Sequence, residues 1–455
     1  MLKNKKGITL IALVVTIVVL LILAGISISL ILDNNGIIQK SKDARRIASE
    51  SAKNELDNMD RLIEEMNEAA PEWSGKTTEL PEFKNNETTN KFDWYIYNEP
   101  QMKFFANFVN QTLTAQDEKL MSDKNVTAEN IAITEKTTIY LMNDLDLGAR
   151  FDENGKLTLG VEWVPVGKDT TNKLLGTFEG NNHYIKGVYV NSDTRFCGIF
   201  GNTNTIQNLT VKNSYIEGSA CTGGIAGTVR GGKVENCHNI NTIVTMKSGT
   251  ESVGGIVGQS SVNIENCTNE GIVYITGRSA QNRSQAGGIV GISIGSTISN
   301  CTNKGNIISG KEAGLYVGGI CGSTGADYAV TISNCKNEGT INGVTGTAGI
   351  VGLLSTKGVV EQCSNTGNIN VTESYGAGIA GQMNQKNGQS NSIVRLCYNS
   401  GNISGGPVSG GSVLGGIVAF FCGQSQQGTV ENCYSKGTIT APENNGGAII
   451  GKKIQ

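Results

Sequence analysis

His183 and His238 are the only histidines in 455 residues, so catalysis built on imidazole, or a histidine-rich zinc site, has almost nothing to work with. Carboxylates recur more often. Glu235, Glu265, Glu361 and Glu431 occupy one slot of a repeating pattern, each next to an alternating Val or Ile. A polysaccharide hydrolase or lyase needs paired carboxyl groups with separated pKa values, or calcium-bridging aspartates, clustered on one exposed face. Here Ser299, Ser333 and Arg395 interrupt the glutamate slot, and Asp327 is the only aspartate after Asp193. The row therefore reads as a solvated face, and Glu361 with Arg395 one repeat later is the nearest approach to a reactive pair. Asp144 and Asp146, in Asn-Asp-Leu-Asp-Leu, could hold a cation, but that spacing is commoner in turns and caps. Walker and GGxGxD motifs are absent. The expectation is a non-enzyme with no catalytic residue, no cofactor and no metal site.

The 11 cysteines invite a disulfide reading, but their placement favours another. Cys237, Cys267, Cys301, Cys335, Cys363, Cys397 and Cys433 share one repeated slot, which Leu209 fills in the first copy. A slot open to both Cys and Leu is a small apolar core position, suited to a free thiol. Stacked repeats about 4.8 Å apart would bring neighbouring cysteines within bridging range, so disulfides stay geometrically open. No CxxC pair exists to bind zinc.

These residues are positioned by a repeat. GGIVGQSSVNIENCTNEGIVY, residues 254–274, recurs with changes from about 198 to 455. Gly-Ile-x-Gly cores fall at 198–201, 223–227, 254–258, 287–291, 318–322, 348–352, 377–381 and 415–419, with Cys-x-Asn-x-Gly-x-Ile between them. A period of about 30 residues signals a solenoid or propeller. Branched residues alternate with small or polar ones in three short runs per unit, as half-buried strands do, and Gly and Asn punctuate them. A propeller would need four strands per blade. The fold class expected is mainly β, a parallel β-helix in which each unit buries its apolar face on the next. Asn266, Asn300, Asn334 and Asn432 before the cysteine, and Asn269, Asn303, Asn337, Asn365 and Asn399 after it, are expected to stack as structural ladders.

The repeated GGIVG and GGIAG cores spaced by NCxNxG resemble the GLUG motif of bacterial surface proteins, over roughly the C-terminal half. Tyr140–Leu147, Trp163–Gly167 and Gly176–Val188 resemble the lead-in that precedes such repeats. The resemblance implies a β-helix displayed at the cell surface.

The N-terminus reads differently. Lys3, Lys5 and Lys6 precede residues 8–32, which carry no charge and are long enough to span a bilayer core of about 30 Å. Ala44, Ala48, Ala52, Leu56, Met59, Ile63 and Met66 then make one helical stripe. The expectation is a long N-terminal α-helix, transmembrane over 8–32 and an amphipathic stalk over 33–70. A polar linker at 71–91, an α+β cap with the first coils at 92–197, and the repeat β-helix at 198–455 follow it. Asn98-Glu-Pro100 marks a helix start with Met102, Phe105, Phe108 and Val109 behind it. Lys6-Gly7-Ile8-Thr9-Leu10-Ile11 resembles a type IV prepilin site. That resemblance implies a leader over 1–7, cleavage between Gly7 and Ile8 by prepilin peptidase, and methylation of Ile8. Ala12 stands where pilins carry glutamate, so the usual pairing with a neighbouring pilin subunit is absent.

A net charge of −3 leaves no footprint for nucleic acid. The function expected is a pilin-like adhesin or minor pilin. It would be anchored in the membrane of a bacterium, exported to its surface, and would bind a glycan, matrix or cell-surface ligand. A carbohydrate-active enzyme on the same scaffold and a structural spacer are the alternatives. Mass spectrometry of surface-exposed protein should find Ile8 at the N-terminus. An intact Met1 would refute the prepilin site.

Overall fold

The computed structural model describes residues 73–152, 155–247, 252–275, 284–310, 316–325, 328–383, 391–405, 413–421, 428–441 and 446–453. All of them belong to the unit Ala69–Gln455.

Glycine sets the shape of each coil. In one coil the strands are Ser252–Gly254, Val257–Ser260, Asn263–Glu265, Thr268–Asn269 and Ile272–Ile275. Three runs were legible in the sequence, near 255–258, 262–264 and 272–275; the structure adds the strands Ser252–Gly254 and Thr268–Asn269 outside them. The bend at Gly255-Ile256 separates the first two strands, and Asn266, at φ 55°, separates the third from the fourth. Each strand pairs in parallel with its counterpart one coil on, as in Val253↔Ala286, Ile264↔Ile298, Asn269↔Asn303 and Val273↔Ile307. Four sheets result. Sheet I holds the Ser252–Gly254 type, sheet II both the Val257–Ser260 and Asn263–Glu265 types, sheet III the Thr268–Asn269 type and sheet IV the Ile272–Ile275 type. Ile256, Val257, Ile264 and Cys267 face one core cluster, and Val253, Val273 and Ile275 a second.

Inside sheet III runs a column of buried amides. Asn239, Asn269, Asn303, Asn337, Asn365 and Asn399 are all 0% exposed. Each Nδ2 donates to the Oδ1 of the next coil's asparagine, at 2.7–2.9 Å, until Asn399 donates to Ser435 Oγ at 3.1 Å. The second amide hydrogen of Asn269, Asn303, Asn337, Asn365 and Asn399 goes to the carbonyl two residues later, closing the local turn. The doubled glycine of the core leaves room for this column. A Cβ on Gly255 would overlap both the Asn269 side chain and the Gly288 carbonyl of the next coil. One of the two expected ladders therefore exists. The other row, Asn266, Asn300, Asn334 and Asn432, does different work: it holds the corner in the left-handed region at φ 52–55°, which asparagine tolerates better than most residues. Gln362 and Leu396 hold the same corner at φ 55° and 54°.

The cysteine slot lies directly behind that corner. Every described cysteine is free, and all but Cys433 are buried. Each slot thiol sits 3.2–3.3 Å from the carbonyl oxygen two residues before it, a weak donor bond that Leu209 does without. Burial pushes the Cys267, Cys301 and Cys363 thiols well above the ordinary range, so they are neutral at physiological pH.

Upstream, strands Lys91–Ile96, Thr138–Leu141, Leu174–Glu179 and Phe200–Gln207 lead in parallel into sheet II. Glu82–Asn86, within the stretch read as a linker, pairs antiparallel with Lys91–Ile96 and covers its open edge. Helix Glu99–Val109 starts as its sequence indicates, with Asn98 accepting from the Gln101 N–H. A second helix, Ala115–Asp123, opens with a reciprocal Thr114–Asp117 capping box. Fully buried Trp94 meets Phe83, Phe105 and Phe108 at 4.9, 5.7 and 5.1 Å, and the stack continues through Phe178 to Phe200. These rings fill the end of the solenoid core.

The expected fold class needs a correction at its front. Those two helices are the α-helices among the described residues, and none there is long and apolar enough to cross a membrane. Each is short because its own cap begins it and an αR or irregular C-cap, at Asn110 or Lys124, ends it. Among the described residues the fold is thus a parallel β-solenoid with two short helices, and no long transmembrane helix is found there. Residues 8–70, on which that helix was expected, and the processing site at Gly7 and Ile8 lie outside the described residues.

Two substitutions test this account by urea unfolding. Asn303→Ala removes one rung, strands a donor of Asn269 and the acceptor of Asn337, and should cost about 2–3 kcal/mol. Leu396→Asn, at an exposed left-handed corner, should instead stabilise by about 1 kcal/mol.

Candidate binding surface

Side chains that point away from the core form columns, because the register is kept from coil to coil. On sheet II one column runs Glu179, Gln207, Glu235, Glu265, Ser299, Ser333, Glu361, Arg395, Glu431. The structure therefore brings the sequence-derived glutamate slot into one line. Its carboxylates are engaged locally. Glu179 accepts from Gln207 Nε2 at 2.7 Å and from Asn208 Nδ2 at 3.0 Å. Lys233 pairs with Glu235. Arg395 holds Glu361 Oε2 through Nε at 2.9 Å and a terminal nitrogen at 2.6 Å. Glu361 and Arg395 do meet, then, but as an ion pair on the surface.

The acidic pair upstream is spent on turns. Asp144 Oδ1 lies 3.0 Å from His183 Nδ1 and accepts the Tyr184 N–H at 3.0 Å. Burial pushes the Asp146 carboxyl up, yet Arg150, the Gly148 N–H and Lys186 together hold it below the usual range. Arg150 supplies two contacts, at 2.8 and 3.1 Å. On sheet III burial, with Lys304 nearby, lowers the His238 pKa against the pull of Glu270 and leaves the imidazole neutral. Among the described residues no group of three or more His, Cys, Asp or Glu could hold a metal ion.

The outward column of sheet III is of another kind. Thr210, His238, Thr268, Thr302, Lys336, Ser364, Tyr398 and Tyr434 follow one another, one per coil. The Tyr398 and Tyr434 rings stack at 5.8 Å with Lys436 over Tyr398. A further surface escaped the sequence reading: outward residues of sheet I face those of sheet II across the Gly-Gly-Ile bend. Cys221 Sγ reaches Gln259 Oε1 at 3.8 Å, and Tyr375 stacks on Phe420 at 4.4 Å. Its signal was the variable residue just after the last core glycine, such as Gln259, which the sequence reading left out of its strand runs.

The GLUG motif model matches residues 282–308. Halomucin of Haloquadratum walsbyi is 26% identical over 139 residues, 30% of this chain and 2% of halomucin, so the chain spans a small fraction of that relative. The crystal structure of a candidate immunoglobulin A1 protease from Bacteroides ovatus is similar at a TM-score of 0.46 and 19% identity, over 63% of this chain and 78% of that one. The motif match lies inside the solenoid, and the prepilin-like reading of Gly7 and Ile8 has only the sequence behind it. The chain is a β-solenoid with a match to the GLUG motif at residues 282–308.

Proposed function

We propose that the chain is displayed at a bacterial cell surface and that its solenoid flank binds a glycan, matrix or cell-surface ligand without transforming it. The outward column of sheet III supports this most. Hydroxyls and aromatic rings recur there at one position per coil, and weak contacts repeated along a rigid line add through effective concentration. A rigid solenoid needs little ordering on binding, which lowers the cost of such contacts. Catalysis would ask more of the surface: a carboxyl group free to exchange a proton beside a second one. Glu361, the nearest candidate, is committed to Arg395.

An array of glycans and matrix proteins probed with the full chain tests the proposal. The expected result is retention on at least one ligand class, with no release of product from pectin, hyaluronan or peptidoglycan. Turnover that Glu361→Gln abolishes, with the circular dichroism spectrum unchanged, would replace the binding reading by the enzyme reading.

A further inference from the structure

The corner between sheets I and II is concave toward the outside. Val253 and Ala286 of sheet I face the core, so Ser252 and Gln285, which alternate with them, point outward. Thr228 and Gln259 are in register on the first strand of sheet II, and Ser252 and Gln285 on sheet I. The two outward faces approach closely because the core glycines floor the corner: a Cβ on Gly291 would stand 2.7 Å from that of Ser252.

Three oxygens in this corner are buried without a hydrogen-bond partner: Thr228 Oγ1, Ser252 Oγ and Gln285 Oε1. Thr228 and Ser252 are 0% exposed, and half-buried Gln259 and Gln285 flank them. A buried polar atom left unpaired costs about 1–3 kcal/mol, so three in neighbouring coils call for an explanation. Thr228, Ser252, Gln259, Gln285 and the adjoining Ile292 carry no charge. Successive coils stand about 4.8 Å apart, close to the length of one β-linked pyranose.

We propose that this corner is a subsite for a linear, uncharged polysaccharide that lies along the solenoid axis, one sugar per coil. Its hydroxyls reach Thr228 Oγ1 and Ser252 Oγ as the Gln259 side chain swings aside, and Gln285 Oε1 meets it as the third oxygen. The inference rests on the binding reading above and names its ligand class. An anionic polymer would meet Arg195 and Arg230 only at the Phe196 end of the corner and would lose its hydration along the remaining uncharged coils, which selects against it.

Calorimetry of the full chain with hexamers of β-1,4-linked glucose and of β-1,4-linked N-acetylglucosamine, and with polygalacturonate, tests it. A neutral hexamer should bind and polygalacturonate should not. Gln259→Ala with Gln285→Ala should weaken binding about tenfold or more, and Thr228→Val, which removes an orphan hydroxyl at nearly unchanged volume, should do so as well. Tyr274→Ala, exposed on sheet IV, should leave the affinity as it is. No binding of either neutral hexamer, or binding that all corner variants retain, overturns the assignment. A ligand found on the array that the corner variants still bind overturns the corner alone and leaves the binding reading standing. A chain that retains nothing on the array, yet binds a neutral hexamer through the corner, keeps both in narrower form.

Discussion

The buried amide column is the constraint to which the rest of the solenoid conforms. A fully buried asparagine is costly unless its amide hydrogens and carbonyl oxygen are bonded, and the coil supplies those bonds when its neighbour sits at one register. Slip a coil by one residue and the amide faces outward while a threonine enters the core. The ladder thus fixes what apolar packing alone leaves loose, since isoleucine on valine tolerates small displacements. The Gly-Gly core, the Cys-x-Asn-x-Gly spacing and the left-handed corner are each conditions for the amide to reach its partner.

The column also has a beginning. Leu145, Ile185 and Val211 occupy its position in the coils before Asn239, and Asn239 Oδ1 has no partner. Register in those first coils is set by other means. The Trp94, Phe105, Phe178 and Phe200 rings are too large and too tightly nested to be shifted by a residue. The N-terminal end is pinned by shape, the repeat array by hydrogen bonds.

Much of this was written in the repeat. The alternation of Ile264 and Asn263 or Glu265 gives direction to a strand, and the common slot of Leu209 and Cys237 marks a core position whatever the chemistry of sulfur. The glutamate line was legible because its members recur at one offset. What the sequence hid lies in three dimensions. The bend at Gly255-Ile256 turns one run of residues into two strands whose outer faces meet, and no local pattern records that Ser252 and Thr228 share a corner. The helix at Ala115 was missed although Thr-x-x-Asp announced it, because its apolar content is too small to show a stripe. The two asparagine rows look alike in sequence, yet one is defined by its side chain and the other by its backbone angle.

Every amide in the buried column hands its hydrogen onward in the same sense, from Asn239 toward Ser435. Such a chain has no natural length. A duplication or loss that adds or removes one whole unit restores donor to acceptor at the junction, whereas a fractional one leaves both bare in the core. Recombination between tandem copies in the gene can therefore lengthen or shorten the protein freely, but only in whole coils.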